Sequence, residues 1–341
     1  MPARCIVRGS INVDEFFQVK DIVRPGETIS SDNLVKRLGG KGANQSVAVA
    51  RAGGIVELVG AVGQDGVWVR DELNETGVGV GAVSITEVCK RKGLRLASSA
   101  SLQENTGRAI IQVTDLGENS IILFKGANYA SLPPYTVPPD TTHIVLQNEI
   151  PLQSTIEYLA RGSSSGISAI FNPSPMLAPE QLKTFPWNQV TWLIVNSGEA
   201  LDLCKALNLK VGAASPSAST VDTAKPLVTL LSISMPTTNV VCTLGADGLL
   251  AQFAQFNQSE PLYLPASTLQ GTTCDTTGAG DCFTGYMVAG LMRLEKQPTS
   301  DDYVAVLKRA VQAAGMCVES RGAAASIPLD ADVTARLNSA L

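Results

Sequence analysis

Two glycine-led stretches hold the residues best suited to chemistry. The first is CDTTGAGDCFTGYMVAGLM (274–292), in which a Gly-Ala-Gly turn runs into small and apolar residues that read as a closely packed helix. Gly278 and Gly280, on either side of Ala279, permit backbone angles that aim successive N–H groups into one concavity. That concavity lies at a helix N-terminus, where the macrodipole favours an anion. Asp281 falls in the first turn, and a carboxylate beside an anion site is electrostatically costly unless chemistry needs it. A plainer reading, an aspartate capping a helix after a glycine turn, stays open at this level.

The second stretch is RLGGKGANQSVAVARAGG (37–54). Gly39 and Gly40 remove side chains where backbone must approach a ligand, and Lys41 and Asn44 then set a cation and an amide at a helix start. A glycine turn with an exposed lysine is the plainer alternative. The stretch is not a Walker A loop, because Val35 stands where the first glycine of that pattern would fall. Gly77–Ala82 (GVGVGA) approaches a dinucleotide fingerprint but follows a helical segment, so the strand–turn–helix context is missing. A third stretch, GSINVD (9–14), ends an apolar run. Asn12 and Asp14 alternate, so they share a face, and an amide with a carboxylate suits paired recognition of neighbouring hydroxyls.

The elements that must position these groups alternate in type. Strands are expected at 4–9, 56–63, 143–147, 167–173, 192–196 and 239–245. Helices are expected at 44–53, 66–76, 154–162, 199–207, 281–294 and 303–318. That order implies a doubly wound, mostly parallel α/β sheet with helices on both faces and ligands beyond the strands' carboxyl ends. Residues 13–38 and about 95–125 lack helical period and read as strands of a small β-sheet lid, so the 341 residues form one domain with that lid. Residues 163–166 and 212–220 read as surface loops.

Composition excludes several alternatives. With 45% hydrophobic and 17% charged residues the chain is neither disordered nor short of core. A net charge of -5 without a basic stripe gives no support for nucleic-acid or acidic-membrane partners, and no apolar run is long enough to span a bilayer. Seven scattered cysteines without a CxxC pair fit reduced thiols, hence a cytoplasmic protein. Of the sequons at Asn44, Asn74 and Asn257, the first lies inside the glycine–lysine motif, where a glycan would obstruct it. His143 is the only histidine, so Ser-His-Asp hydrolysis and multi-histidine metal sites lack their parts.

Taken together, GSINVD, GGKGANQ, NPSP (172–175), NSGEA (196–200) and DTTGAGD occur in the order and spacing of the ribokinase-like carbohydrate kinases, across nearly the whole chain. GSINVD with GGKGANQ resembles the ribokinase branch more than fructokinases or adenosine kinases. The resemblance implies ATP-dependent phosphorylation of the primary O5 hydroxyl of ribose, with Asp281 as general base and the Gly278, Ala279, Gly280 backbone as anion hole. It implies a sugar pocket of Asn12, Val13, Asp14, Gly40, Lys41, Gly42, Ala43, Asn44 and Glu149. On the nucleotide side it implies Asn196, Glu199 (through magnesium-bound water), Thr243, Leu244, Gly245, Ala246, Asp247 and Gly248, with Gly280 and Asp281. It also implies a potassium site from the Asp275 side chain, the Thr277, Cys317, Ser320 and Gly322 carbonyls and the Ser326 hydroxyl, and a homodimer joined through the lid. The chemistry is consistent on its own terms. A primary alcohol is a poor nucleophile and charge spreads over the transferring phosphoryl oxygens, so positioning and charge stabilisation dominate and a carboxylate takes the proton late. Another sugar or nucleoside kinase (deoxyribose, adenosine) and a non-catalytic sugar-binding paralogue are the alternatives; intact Asp281 and glycines favour the enzyme. Three departures stand out: a long 89–105 segment with Lys90, Arg91 and Lys92, no final glycine in GQDGVW (63–68), and Val311 beside Gln312 where a polar residue by adenine is usual.

Overall fold

In this computed structural model residues 2–339 are described, apart from 87–103, 115–117, 213–214, 216, 257 and 296. The strands are β1 (Arg4–Arg8), β2 (Asn12–Gln18), β3 (Asn33–Gly39), β4 (Ile55–Gly63), β5 (Val83–Thr86), β6 (Gly107–Val113), β7 (Asn119–Phe124), β8 (Thr141–Leu146), β9 (Ser168–Phe171), β10 (Trp192–Asn196), β11 (Asn239–Thr243), β12 (Leu249–Gln252) and β13 (Leu262–Leu264). The helices are α1 (Lys41–Arg51), α2 (Val67–Glu75), α3 (Leu152–Ser164), α4 (Pro179–Lys183), α5 (Ser197–Ala206), α6 (Thr220–Ser234), α7 (Ala279–Leu291), α8 (Ser300–Cys317) and α9 (Asp330–Asn338).

The buried apolar runs pair as parallel strands because both faces must be covered. The main sheet has the order β13-β12-β11-β10-β9-β8-β1-β4-β5, parallel from β11 to β5, with β12 and β13 antiparallel at one edge. Alternate residues of each strand feed opposite cores. In β1, Cys5 and Val7 pack with α1, α2, α7 and α8, while Ile6 packs with α3, α5 and α6 on the other face. The expected fold class is therefore the observed one.

A smaller sheet, β3-β2-β6-β7, stands apart. Residues 87–103 and 115–117, including the Lys90–Arg91–Lys92 cluster and part of the segment expected in the lid, lie outside the described residues. Asp65 of the GQDGVW turn anchors β6: its Oδ1 accepts from the Thr106 N–H (2.8 Å) and its Oδ2 from Arg108 (2.6 Å), and Arg108 also pairs with Glu15 of β2.

Several expectations need correction. The chain from 220 to 234 is a helix, α6, where no element is expected from the sequence; Ser219 caps it, and its Ala224, Leu227, Val228 and Leu231 are buried. Helix α3 extends through Ser164, into a stretch expected to be a loop. Helices α1 and α7 start earlier than expected, because Gly40 (φ 91°) and Gly278 (φ 80°) take the cap position in left-handed or extended-positive conformations that need no capping side chain. Gly280 has no positive φ, so of the two glycines expected to shape the anion hole only Gly278 uses the freedom attributed to both. Among the described residues no helix is long and apolar enough to cross a membrane. His143 sits in β8, and burial lowers its pKa to about 4, leaving it neutral.

Candidate active site

The three motifs meet beyond the carboxyl ends of β1, β8, β9, β10 and β11. A cavity of about 230 Å³ is lined there by residues including Lys41, Asn172, Asn196, Glu199, Thr243, Thr276, Gly278, Gly280 and Asp281. Close packing of α1 on α7 brings the motifs together: a Cβ on Gly285 would overlap Ala48, so only glycine permits the approach. Asn44 and Gln45 of α1 then reach Asp281 of α7, donating to its Oδ2 (3.0 Å) and Oδ1 (2.9 Å).

The two glycine-led helix starts differ in what they offer. At α1 the backbone donors are spent internally: Lys41 N–H donates to Glu149 (3.1 Å), Gly42 N–H to the Ser10 hydroxyl (3.3 Å) and Ala43 N–H to the Ser10 carbonyl (2.9 Å). At α7, Ala279 N–H donates to Thr276 and Cys282 N–H to Gly278, while the Gly280 and Asp281 N–H groups find no acceptor among the described residues. Unspent donors at a helix N-terminus, opening on a cavity, are able to bind an anion. Of the two, only α7 offers such donors among the described residues.

Charge is concentrated around that site. Asp14 of β2 is buried next to Gly39, whose absent side chain leaves room for its carboxylate. Burial first, then Glu149 and Asp281, raise the Asp14 pKa to about 7. Burial works against the Lys41 ammonium, yet the fields of Asp281, Glu149 and Glu199 outweigh it and hold its pKa above the ordinary lysine value. Asn12 is buried, and its Oδ1 accepts from Asn128 Nδ2 (2.7 Å), which leaves the Asn12 amide nitrogen to donate. Asn128, itself fixed by the Ile11 N–H (2.8 Å), escaped the sequence reading, as did Ser10, which donates to Glu149 (2.6 Å). Val13 is buried and its side chain alternates away from Asn12 and Asp14.

At the end of β10, Asn196 and Glu199 form a reciprocal capping box: Asn196 Oδ1 accepts from Glu199 N–H (2.8 Å) and Glu199 Oε2 from Asn196 N–H (2.9 Å). Thr243 ends β11 and lines the cavity; Leu244 is buried, and Gly245, Ala246 and Asp247 form an exposed turn closed by Gly248 at φ 89°. Val311 and Gln312 lie on α8, where the buried Gln312 Nε2 has no hydrogen-bond partner among the described residues.

The six residues expected around potassium also converge. Asp275 Oδ1 accepts from Thr277 N–H (2.9 Å), and Ser326 Oγ contacts the Cys317 sulfur (2.9 Å) and donates to the Gly322 carbonyl. The Thr277 and Ser320 carbonyls accept no hydrogen bond from the described residues, whereas the Cys317 carbonyl accepts one from Ser320 N–H (3.2 Å). Arg51 fastens the second loop by donating to the Ala324 and Ala325 carbonyls (3.0 and 3.2 Å). One carboxylate, carbonyls and a hydroxyl make an all-oxygen donor set of low charge, which fits a hard monovalent cation.

The pfkB family carbohydrate kinase pattern matches residues 3–330. The chain belongs to that family and is a sugar kinase, a ribokinase-like phosphotransferase. Among solved structures it is similar to a ribokinase from Cryptococcus neoformans var. grubii serotype A in complex with ADP, at 45% identity and a TM-score of 0.84, covering 98% of this chain and 99% of that one. It is 30% identical to the ribokinase of Schizosaccharomyces pombe (98% of this chain, 97% of the relative) and 29% identical to that of Staphylococcus aureus (96% and 98%).

Proposed function

We propose that the protein transfers the γ-phosphoryl group of ATP to the O5 hydroxyl of D-ribose, giving ribose 5-phosphate and ADP. The observation that carries this reading is the open α7 N-terminus, with unspent Gly280 and Asp281 N–H groups and the Asp281 carboxylate on one cavity. The whole-chain similarity to ribokinases supports ribose as the acceptor. In this reading Asn12 and Asp14 hold ring hydroxyls, with Glu149, Asn44 and the Gly40–Ala43 backbone around the sugar. Asp281 takes the O5 proton as the bond to phosphorus forms, and the α7 N–H groups stabilise the charge on the transferring group. Lys41, between the two ends of the pocket, neutralises phosphate charge. Residues 243–248 lie against the nucleotide.

Glu199, whose Oε1 is not used in the capping box, and Asn196 offer the hard oxygen donors that a hydrated magnesium ion requires. Bound with ATP, that ion would offset phosphate charge. The potassium site would act by fixing the loop that leads into Gly278. Residues 1–341 would work as one cytoplasmic kinase domain whose small sheet is a lid over the sugar. Among the described residues β7 is one of the two edges of that sheet, the other being β3, and it exposes Ile121, Ile122, Leu123 and Phe124 (51, 58, 49 and 50%), an apolar edge that a second copy of the chain would cover.

A coupled ADP-release assay across ribose, deoxyribose, fructose and adenosine tests the assignment. Ribose should give the highest kcat/KM; adenosine outperforming ribose would overturn it.

A further inference from the structure

We infer that Gln45 is a positioning residue for the Asp281 carboxylate, and that Gln147 holds Gln45 in the orientation this requires. The inference rests on the reading of Asp281 as proton acceptor.

Rotation of an aspartate carboxylate about its last torsion is soft, so a base that must meet one hydroxyl needs both oxygens fixed. Asn44 fixes Oδ2 and Gln45 fixes Oδ1. As neighbours on α1, the two side chains leave the helix about 100° apart and approach the carboxylate from different sides. A glutamine amide has two ends, however, and turned over it would set Oε1 against the carboxylate oxygen.

Two contacts choose the productive end. Gln147 Nε2 donates to Gln45 Oε1 (2.6 Å), drawing the oxygen away from Asp281. Asn172 Oδ1 accepts from Gln45 Nε2 (3.3 Å), and Asn172 is itself set by donating to the Ile194 carbonyl (2.9 Å). The direction of the chain is thus read from a backbone carbonyl of β10 through to Asp281.

Both glutamines are fully buried, at 0% exposure, beside a core where an apolar side chain would otherwise serve. Burying amides there is unfavourable unless their hydrogen bonds are used; Gln45 uses both ends of its amide, and Gln147 spends its Nε2 on Gln45 while its Oε1 has no partner among the described residues. A neutral amide also orients the carboxylate without forming an ion pair that would compete for the proton.

The test compares Gln45→Met, Gln147→Met and the double variant, measuring kcat, KM for ribose and KM for ATP, with calorimetric ribose binding. Gln45→Met should lower kcat by about 10- to 100-fold, the cost of a misplaced reacting group, with each KM within about twofold of wild type. Gln147→Met should lower kcat by about 3- to 10-fold, because Gln45 keeps its other contacts. The double variant should be no slower than Gln45→Met, since Gln147 acts through Gln45. Unchanged kcat, a raised ribose KM with kcat intact, or multiplicative effects would each overturn the inference. Should Gln45→Met fail to fold, Gln147→Met carries the same test alone. Asp281→Asn is the reference: activity lost there but full in Gln45→Met overturns the inference only, and activity kept there overturns the proton-acceptor reading itself.

Discussion

The Gly322 N–H donates to Asp275 Oδ2 at 2.9 Å, joining two loops 47 residues apart. The same carboxylate accepts from Thr277 N–H, one residue before the left-handed Gly278. Asp275 therefore transmits the position of the second loop to the start of α7. A monovalent cation bound among these oxygens would stiffen the connection without touching substrate. Activity should accordingly be severalfold higher in potassium than in sodium at equal ionic strength, and Asp275→Ala should abolish the difference. Equal rates in potassium, sodium and a large organic cation would show that no such site operates.

Asp14 should act on the sugar rather than on ATP. Losing a hydrogen bond to a charged group costs about 1.5–3 kcal/mol, so Asp14→Ala should raise the ribose KM roughly tenfold or more and leave the ATP KM unchanged. Steady-state kinetics with each substrate varied in turn decides it; a rise confined to ATP would contradict the placement.

The same carboxylate gives a pH dependence with a definite sign. Its pKa lies near 7 in the folded protein against 3.8 for the free group, so the folded chain binds the extra proton between those values. Stability without ligand then falls as pH rises through that window. Asp14→Asn should raise the Tm at pH 8 relative to wild type, and the gap should close toward pH 4. For wild type, kcat/KM for ribose should fall as pH drops below about 7, as the acceptor becomes protonated. An Asp14→Asn Tm below that of wild type at pH 8 would contradict the burial argument.

Gly278 is held at φ 80°, and a Cβ there would stand 2.7 Å from the Ala323 backbone. Gly278→Ala should cost about 1–2 kcal/mol of stability from the backbone alone and shift the α7 N–H groups. A kcat loss of roughly tenfold or more, larger than any KM change, is expected; wild-type kcat with a lowered Tm would show that the turn is structural only.

If a second copy covers β7, then Ile122→Lys should shift the protein from dimer to monomer in sedimentation experiments. A wild-type protein that is monomeric at micromolar concentration would remove the dimer reading.

Much of this was legible in the sequence where chemistry is local. Lys41, Asn44, Gly278 and Asp281 each stand within a few residues of a glycine turn at a helix start, so each motif reads locally as a ligand-facing turn; that the two motifs share one pocket came from the resemblance to the ribokinase-like kinases, since Asn44 and Asp281 are 237 residues apart. The alternating apolar runs likewise gave the parallel sheet. What the sequence hid depends on distant contacts: Asn128 matters because it meets Asn12 across 116 residues, and Gln147 because it meets Gln45 across 102. Helix α6 escaped because Pro226 and many β-branched residues read as poor helix formers, while its stability comes from Leu227, Val228 and Leu231 against the sheet. The difference between the two glycine-led helix starts was also invisible, since the donors of α1 are taken by Ser10 and Glu149, neither of them close in sequence.

In the proposed reaction Asp281, at the open start of α7, accepts the proton from the sugar. Asp281→Asn keeps the size of the side chain and removes the proton acceptor. Measured with saturating ribose and ATP, kcat should fall by at least ~10²-fold while calorimetric ribose binding is largely retained. A variant that keeps more than about a third of the wild-type kcat would contradict the account.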